Sequence, residues 1–223
     1  MDADVAAVAG LFADRTRASV IAALLDGRAL TAGELARACD VTAATISAHL
    51  RRLLEADLVA VEAQGRHRYY RLADERAGRA FEALAVLAPV RPVRSLRQSR
   101  VAASLRAART CYDHLAGHAG VRLAEAFVSR GILGPDGFPL LDPDTLTSFG
   151  VDVGAAGRSR RSFAHPCLDW SERRHHLAGA LGAAVLTRLV ELEWLIRDRS
   201  SRAVRVTDAG REGLRTRFGC ELG

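Results

Sequence analysis

Lysine is absent from this chain. All 32 of its basic residues are arginine. Genomic composition contributes to such a bias, but arginine is also the better bidentate ligand for phosphate and guanine. Aromatic residues make up only 5% of the chain, so the core must come mainly from Ala, Leu and Val, which favours helices. No run of about 18 apolar residues occurs, which argues against a membrane span. The four cysteines, Cys39, Cys111, Cys167 and Cys220, are too scattered for a small disulfide scaffold. A cytoplasmic protein with reduced thiols is therefore expected. The opening stretch MDADVAAVAGLFADR is acidic and has no basic segment ahead of an apolar one, unlike a signal peptide. The chain also lacks a G-x-S-x-G elbow, a Walker loop and a G-x-G-x-x-G turn. A cysteine nucleophile beside His114 is conceivable, but nothing supplies an oxyanion site, and an enzyme is not expected.

What is present is a chain of 223 residues, 49% hydrophobic and 26% charged, with a formal charge of +6. That is enough for one large domain or two small ones. Residues 4–89 read as helical segments closed by one hairpin. A short helix covers Asp4 to Ala13, and a second carries Val20, Ile21, Leu24 and Leu25 at helical spacing until Asp26-Gly27 stops it. Thr31-Ala-Gly-Glu34 fits a capping box for a third helix. Thr42 caps a fourth, whose buried stripe is Ile46, Leu50, Leu53 and Leu54. Two β-prone runs, 58–63 and 66–72, flank Gly65 and predict a hairpin. A helix over 74–88 follows. The stretch 91–98 is basic, carries Pro92 and reads as a linker.

Helices in this order, followed by a hairpin, form a winged helix-turn-helix. The detailed residues resemble the ArsR-type family of bacterial repressors over roughly residues 4–89. The matching pieces are ADRTRASVIAALLDG, TAGELARACDVTAATISAHLRRLLEADLV and VAVEAQGRHRYYRLAD. Most diagnostic are Thr45, Ser47, His49, Leu50 and Leu53, with Gly65 to Leu72. The resemblance implies a dimer on a near-palindromic double-stranded operator, usually as a repressor released by an inducer.

The residues support DNA contact on their own terms. A helix enters the major groove only if its outward face is small and able to hydrogen-bond. Residues 42–52 offer Thr42, Ala44, Thr45, Ser47, Ala48, His49, Arg51 and Arg52, the two arginines being placed to reach phosphates. Arg66, His67 and Arg68 make a cationic hairpin tip suited to the minor groove or flanking phosphates. A plain solvated face is the competing reading for each. By resemblance, the dimer surface comprises Val8, Leu11, Phe12, Phe81, Leu84 and Leu87, a two-fold arrangement that two half-sites also require.

The second half, 99–223, reads as a helical regulatory domain. Helices are expected over 99–116, 121–131 and 171–193, with a short one capped near Asp142 to Asp144. A closing hairpin and helix, with the phrase VRVTDAGREGL, suggest a degenerate second winged helix. HLAGHAGVRLAEAFVSRGIL from His114 echoes HLAGALGAAVLTRLVELEWL from His176, with 7 of 20 positions identical at an offset of 62. Two metal sites known in relatives look absent, because Cys39 stands alone and 74–88 contains no His. The remaining candidates are Cys111 and His114, read as i, i+3 on one helix face, with His165 and Cys167 ahead of Asp169, His175 and His176. Cys, His and carboxylate suit a divalent or soft metal ion, although the sequence requires no cofactor. Redox thiols, small-molecule binding and plain core packing remain open for these residues.

The fold expected is therefore mainly α with small β-hairpins, in an N-terminal winged helix-turn-helix (1–90) and a helical C-terminal domain. The function expected is sequence-specific transcription control by a dimeric repressor released by a metal ion, thiol oxidant or small molecule. The alternative is a winged-helix interaction protein, or one that binds DNA without sequence preference.

Overall fold

A computed structural model describes residues 3–89, 95–198 and 201–223, apart from the side chains of Arg97 and Gln98. The first half of the expected linker, 91–94, lies outside the described residues, and 96–98 begin a helix. The chain divides into two compact units, Met1–Leu84 and Ala85–Gly223. No helix among the described residues is long and apolar enough to cross a membrane.

The first unit contains α1 (Val5–Ala13), α2 (Arg15–Leu24), β1 (Leu30–Thr31), α3 (Ala32–Cys39), α4 (Ala43–Glu55), β2 (Val59–Gln64) and β3 (His67–Leu72). The start of α5 (Glu75–Leu87) also belongs to it. Each early helix begins where a side chain accepts an orphan amide. Asp4 takes Ala7 N–H, Asp14 takes Arg17 N–H, and Thr42 takes Thr45 N–H. Thr31 and Glu34 complete the full capping box. Val20, Ile21, Leu24, Leu35, Ile46, Leu50 and Leu53 bury almost completely where α2, α3 and α4 meet. Each such side chain contributes roughly 1.5–3 kcal/mol. The hairpin β2–β3 gains β1 on its inner edge, giving the antiparallel order β1-β3-β2 with Leu30 opposite Tyr70 and Val59 opposite Leu72. This is a winged helix-turn-helix. The two-residue strand β1 is too short to read from sequence.

The second unit departs from the expected run of helices. The chain over 99–116 is not one helix: α6 (Leu96–Ala107) ends, and β4 (Arg109–Cys111) and β5 (His114–Ala116) form a hairpin before α7 (Gly117–Ser129). Likewise 171–193 opens as a strand, not a helix. The strands β6 (His165–Leu168) and β7 (His175–Ala178) pair, and α10 (Gly179–Glu191) follows. The reason is local. Tyr112 sits at φ 59° in a two-residue turn, and Gly117 and Gly179 sit at φ 77° and 85°. Those left-handed positions break a helix and are cheap only for glycine. Two short helices, α8 (Pro143–Ser148) and α9 (Val153–Arg158), lie between the repeats. The hairpin β8 (Leu195–Arg197)–β9 (Val204–Val206) and α11 (Asp208–Phe218) close the chain, and residues 199 and 200 of that expected hairpin lie outside the described residues. The protein is thus mostly helical with small antiparallel hairpins.

The sequence echo corresponds to a structural one. Both copies run hairpin, left-handed glycine, helix. Ala116 and Ala178 precede their helices at nearly the same angles, φ −137° ψ −176° and φ −120° ψ −174°. The copies approach each other through glycines: a Cβ on Gly120 would lie 3.6 Å from His176 Cβ, and one on Gly182 would lie 3.2 Å from His114 Cβ. Around them, Leu123, Phe127, Leu181, Val185, Leu189, Leu214 and Phe218 form the core. Phe218 meets Phe127 and Phe149 edge to face, at 5.1 and 4.9 Å.

The packing of each helix on its own hairpin sets a prediction. A methyl on Gly120 would lie 2.5 Å from Leu115 O, and one on Gly182 2.7 Å from Leu177 O. Gly120→Ala and Gly182→Ala are each expected to destabilise this unit by about 1–3 kcal/mol in chemical denaturation. An unchanged midpoint for both would contradict the close contact.

Candidate functional site

The outward face of α4 is the first candidate. The turn from α3 is tight: Asp40 takes φ 53° and its N–H bonds Ala36 O and Arg37 O, so α4 restarts at Thr42. With Ile46, Leu50 and Leu53 buried, Thr42, Ala44, Thr45, Ser47, Ala48, Arg51 and Arg52 are all exposed. Thr42 and Thr45 hydroxyls lie 2.9 Å apart, and Ser47 Oγ donates to Ala43 O at 2.8 Å. These bonds hold the small polar groups in one orientation while leaving further acceptor capacity on each oxygen. His49 is placed differently. Its side chain is 19% exposed, and its Nδ1 lies 3.4 Å from Asp14 Oδ1, tying α4 to the cap of α2. The Arg17 backbone N–H holds the Asp14 carboxyl below its ordinary value, with His49 adding to the effect against a smaller opposing burial.

The wing supplies the cations. Gly65 at φ 57° allows the two-residue loop Gly65-Arg66 that hairpin twist favours. Arg66, His67 and Arg68 are exposed at its tip, where Arg66 Nε donates to His67 Nε2 at 3.4 Å. Tyr70 is buried beneath the wing and Tyr69 is half-buried.

An apolar face lies on α1 and α5. No residue of α1 is buried. Val8 is 45% exposed, Leu84 45% and Leu87 82%. Leu11 and Phe12 are half-buried, and Phe12 meets Phe81 with ring centroids 6.4 Å apart. Arg17 fixes the end of α1 by donating from Nε to Leu11 O and from Nη2 to Gly10 O, both at 2.8 Å.

The second candidate is a buried cluster in the C-terminal unit. Cys111 faces His114 across β4–β5, and Cys167 faces His176 across β6–β7. Cys111 and His114 therefore meet across a hairpin, where a helix face had been expected. The ligand atoms of Cys111, His114, Cys167 and His176 all lie within 4.8 Å of one another. Cys111 is 2% exposed, His114 5% and His176 0%, while Cys167 is partly buried. The two imidazole rings stand 5.2 Å apart. His165 is not brought into this group: it pairs opposite Ala178, and its Nδ1 lies 3.2 Å from Ser162 Oγ. His176, in its place, is the repeat counterpart of His114, and the sequence echo was the signal for it. Cys39 is half-buried on α3. Cys220 is buried in the core, and burial pushes its thiol up to about 11.

A second ring of charges surrounds the cluster. Nδ1 of His114 lies 3.5 Å from Asp113, and Nδ1 of His176 lies 3.3 Å from Asp169. Each carboxylate is held by an arginine distant in sequence, Asp169 by Arg109 of the first hairpin and Asp113 by Arg161 of the segment before β6. Asp113 pairs with Arg161, and Asp169 accepts from Arg109 Nη2 at 3.0 Å. Each arginine also lies over a ring beside that carboxylate, Arg161 over Tyr112 at 5.3 Å and Arg109 over Trp170 at 4.7 Å. Asp169 accepts further bonds from Gly117 N at 2.7 Å and Ser171 Oγ at 2.7 Å. Burial would raise the Asp169 carboxyl, but His176, Arg109 and these donors together hold it far below its ordinary value. Burial likewise opposes charge on both histidines. Cys111 and the flanking carboxylates outweigh it and raise both.

Comparison with known proteins adds context. Residues 12–62 match the family described as a helix-turn-helix domain. The HTH-type transcriptional regulator YdfF of Bacillus subtilis is 44% identical over 215 residues, covering 95% of each chain. Among solved structures, the homodimeric winged helix-turn-helix domain of Mb0332 from Mycobacterium bovis is 30% identical. It covers 37% of this chain and 76% of its own, with a TM-score of 0.35. The cadmium metal-sensor CMTR from Mycobacterium tuberculosis is 33% identical, covering 42% of this chain and 100% of its own, with a TM-score of 0.34.

The Arg109–Asp169 pair, fully buried on both sides, generates a prediction. Asp169→Ala leaves the guanidinium buried without its carboxylate and is expected to cost about 3–5 kcal/mol of stability in urea denaturation. A loss below 1 kcal/mol would show that the pair does not hold the hairpins together.

Proposed function

This chain belongs to the ArsR-type family of helix-turn-helix transcriptional regulators, and from that premise we propose that it is a dimeric, sequence-specific repressor with an effector-responsive second unit. The observation that carries the reading is the free face of α4. Thr42, Ala44, Thr45, Ser47 and Ala48 are small and exposed, and the wing that follows α4 in the chain exposes Arg66, His67 and Arg68 at its tip. Small side chains let a helix backbone approach base edges, and a threonine or alanine methyl can meet a thymine methyl. Arg51, Arg52, Arg66, His67 and Arg68 then serve the phosphates and the minor groove. His49 positions α4 through Asp14 and contacts DNA only from the side of the helix.

A second copy of the chain covers the α1–α5 face in this reading. Val8, Leu11, Phe12, Phe81 and Leu84 supply apolar surface that the first unit leaves uncovered, and Leu87, further along α5, is also exposed. Two-fold pairing there presents two recognition helices to the two halves of a near-palindromic operator. The protein acts in the cytoplasm, where its thiols stay reduced. The segment α10–β8–β9–α11 has the helix–hairpin–helix order of a degenerate second winged helix. Leu181, Val185, Leu186 and Leu189 of α10 are buried, which suits that copy to packing and not to reading DNA. Repression is released when an effector bound by the second unit alters the spacing of the recognition helices.

The test is a salt-titrated binding assay. A duplex selected by the protein from a random-sequence pool is compared with a scrambled duplex. Specific binding is expected to exceed scrambled binding by about 10³-fold or more. Arg66→Ala is expected to weaken both and to reduce the log–log salt slope by about one. Equal affinity for the two duplexes would favour the non-specific or protein-docking reading.

A further inference from the structure

We propose that Cys111, His114, Cys167 and His176 form a four-coordinate site for a borderline-soft divalent cation of the zinc class, which clamps the two repeats of the C-terminal unit together. The inference deepens the effector part of the preceding reading and stands independently of its DNA part.

The geometry is that of a shared site. Each hairpin contributes one Cys and the His directly opposite it, so each repeat supplies half of the ligands. Tetrahedral bonds of about 2.3 Å to sulfur and about 2.0–2.1 Å to nitrogen place ligand atoms roughly 3.3–3.8 Å apart. The four atoms already lie within 4.8 Å of one another, so a contraction of about 1 Å completes the shell. Cys₂His₂ is a donor set that zinc-class ions favour over hard, oxygen-seeking cations. Four protein ligands leave no open position for a reacting water, so the site is structural or regulatory and not catalytic.

Burial supplies the second, independent observation. His114 and His176 are 5% and 0% exposed, and no ring nitrogen of either has an aligned hydrogen bond. Burying polar groups without partners is costly, at about 1–3 kcal/mol each. A cation bound through one nitrogen of each ring resolves that cost in a way that apolar packing does not. The nearby carboxylates complete the arrangement. Nδ1 of each ring faces an aspartate, Asp113 at 3.5 Å and Asp169 at 3.3 Å, which leaves Nε2 to bind. This is the carboxylate–histidine relay that orients metal-ligating imidazoles. The charges balance as well: two thiolates neutralise a divalent cation, and Arg161 and Arg109 neutralise the two aspartates. Gly182 keeps the space beside His114 open, since a Cβ there would lie 3.2 Å from His114 Cβ.

The test uses the full chain purified without an affinity tag or chelator. Elemental analysis is expected to find about one zinc-class ion per chain. Exchange of that ion for Co²⁺ should give the intense visible bands of a tetrahedral site, with thiolate-to-metal charge transfer. Chelation should lower the melting temperature, and Zn²⁺ should restore it. Cys111→Ser and His176→Ala should each weaken Co²⁺ binding by on the order of 100-fold or more. His165→Ala and Cys220→Ser should leave it unchanged. The wild-type titration decides the matter even if a variant misfolds. No metal and no tetrahedral Co²⁺ bands would overturn the proposal, as would an ion retained by the Cys111→Ser/Cys167→Ser double variant. A Cys111–Cys167 disulfide in protein kept under reductant would also overturn it, in favour of a redox pair. None of these readouts involves DNA, so failure here leaves the operator reading intact, and failure of operator binding leaves this site intact.

Discussion

Ile46, Leu50 and Leu53 leave α4 no freedom to turn about its own axis. All three are essentially inaccessible to solvent. A rotation that exposed them would cost roughly 1.5–3 kcal/mol apiece, comparable in sum to much of the stability of a small domain. The opposite face is thereby fixed outward. What that face carries is then a matter of sequence: Thr42, Ala44, Thr45, Ser47 and Ala48 are short and uncharged, and the arginines begin only at Arg51. The exposure of that face is a consequence of the core beneath it. The His49–Asp14 contact pins the same helix from the side.

The C-terminal unit obeys a comparable constraint, with glycine in the decisive role. Each helix packs closely on its own hairpin, where a Cβ on Gly120 would meet Leu115 O and one on Gly182 would meet Leu177 O, and Gly182 also faces His114 of the other repeat. The left-handed angles at Gly117 and Gly179 turn each strand directly into its helix. A duplicated element of this kind builds a site whose halves belong to different parts of the chain.

The readable parts of the chain were those with local signals. The Thr31–Glu34 box, the Thr42 cap and Gly65 at the wing each act within a few residues, and the structure places helix starts and a turn at those points. The hairpin at 109–116 and the second strand of the hairpin at 165–178 differ from the helices expected there for a physical reason. Their strands are only three or four residues long, and β4 and β5 are buried at every position, so no alternation marks them. His-Leu-Ala-Gly also has the composition of a helix. The same error placed Cys111 and His114 on one helix face. Their proximity was legible, but its cause was not. His165 drew attention through closeness to Cys167 in sequence. His176 lies across the hairpin from Cys167 through a longer loop, which spacing alone does not reveal. The repeat at an offset of 62 aligned His176 with His114 and was the stronger signal.

The account rests on α4 reading bases through its small outward residues, and a cycle of paired protein and DNA changes tests this most directly. Thr45→Ala and Ser47→Ala are each titrated against the selected operator and against duplexes altered at single positions. The account predicts that each variant loses discrimination at one or two positions, worth about 1–3 kcal/mol there, while its affinity for the other altered duplexes follows the wild type. Uniform losses on every duplex would contradict it, because they would mean that this face of α4 does not touch the bases.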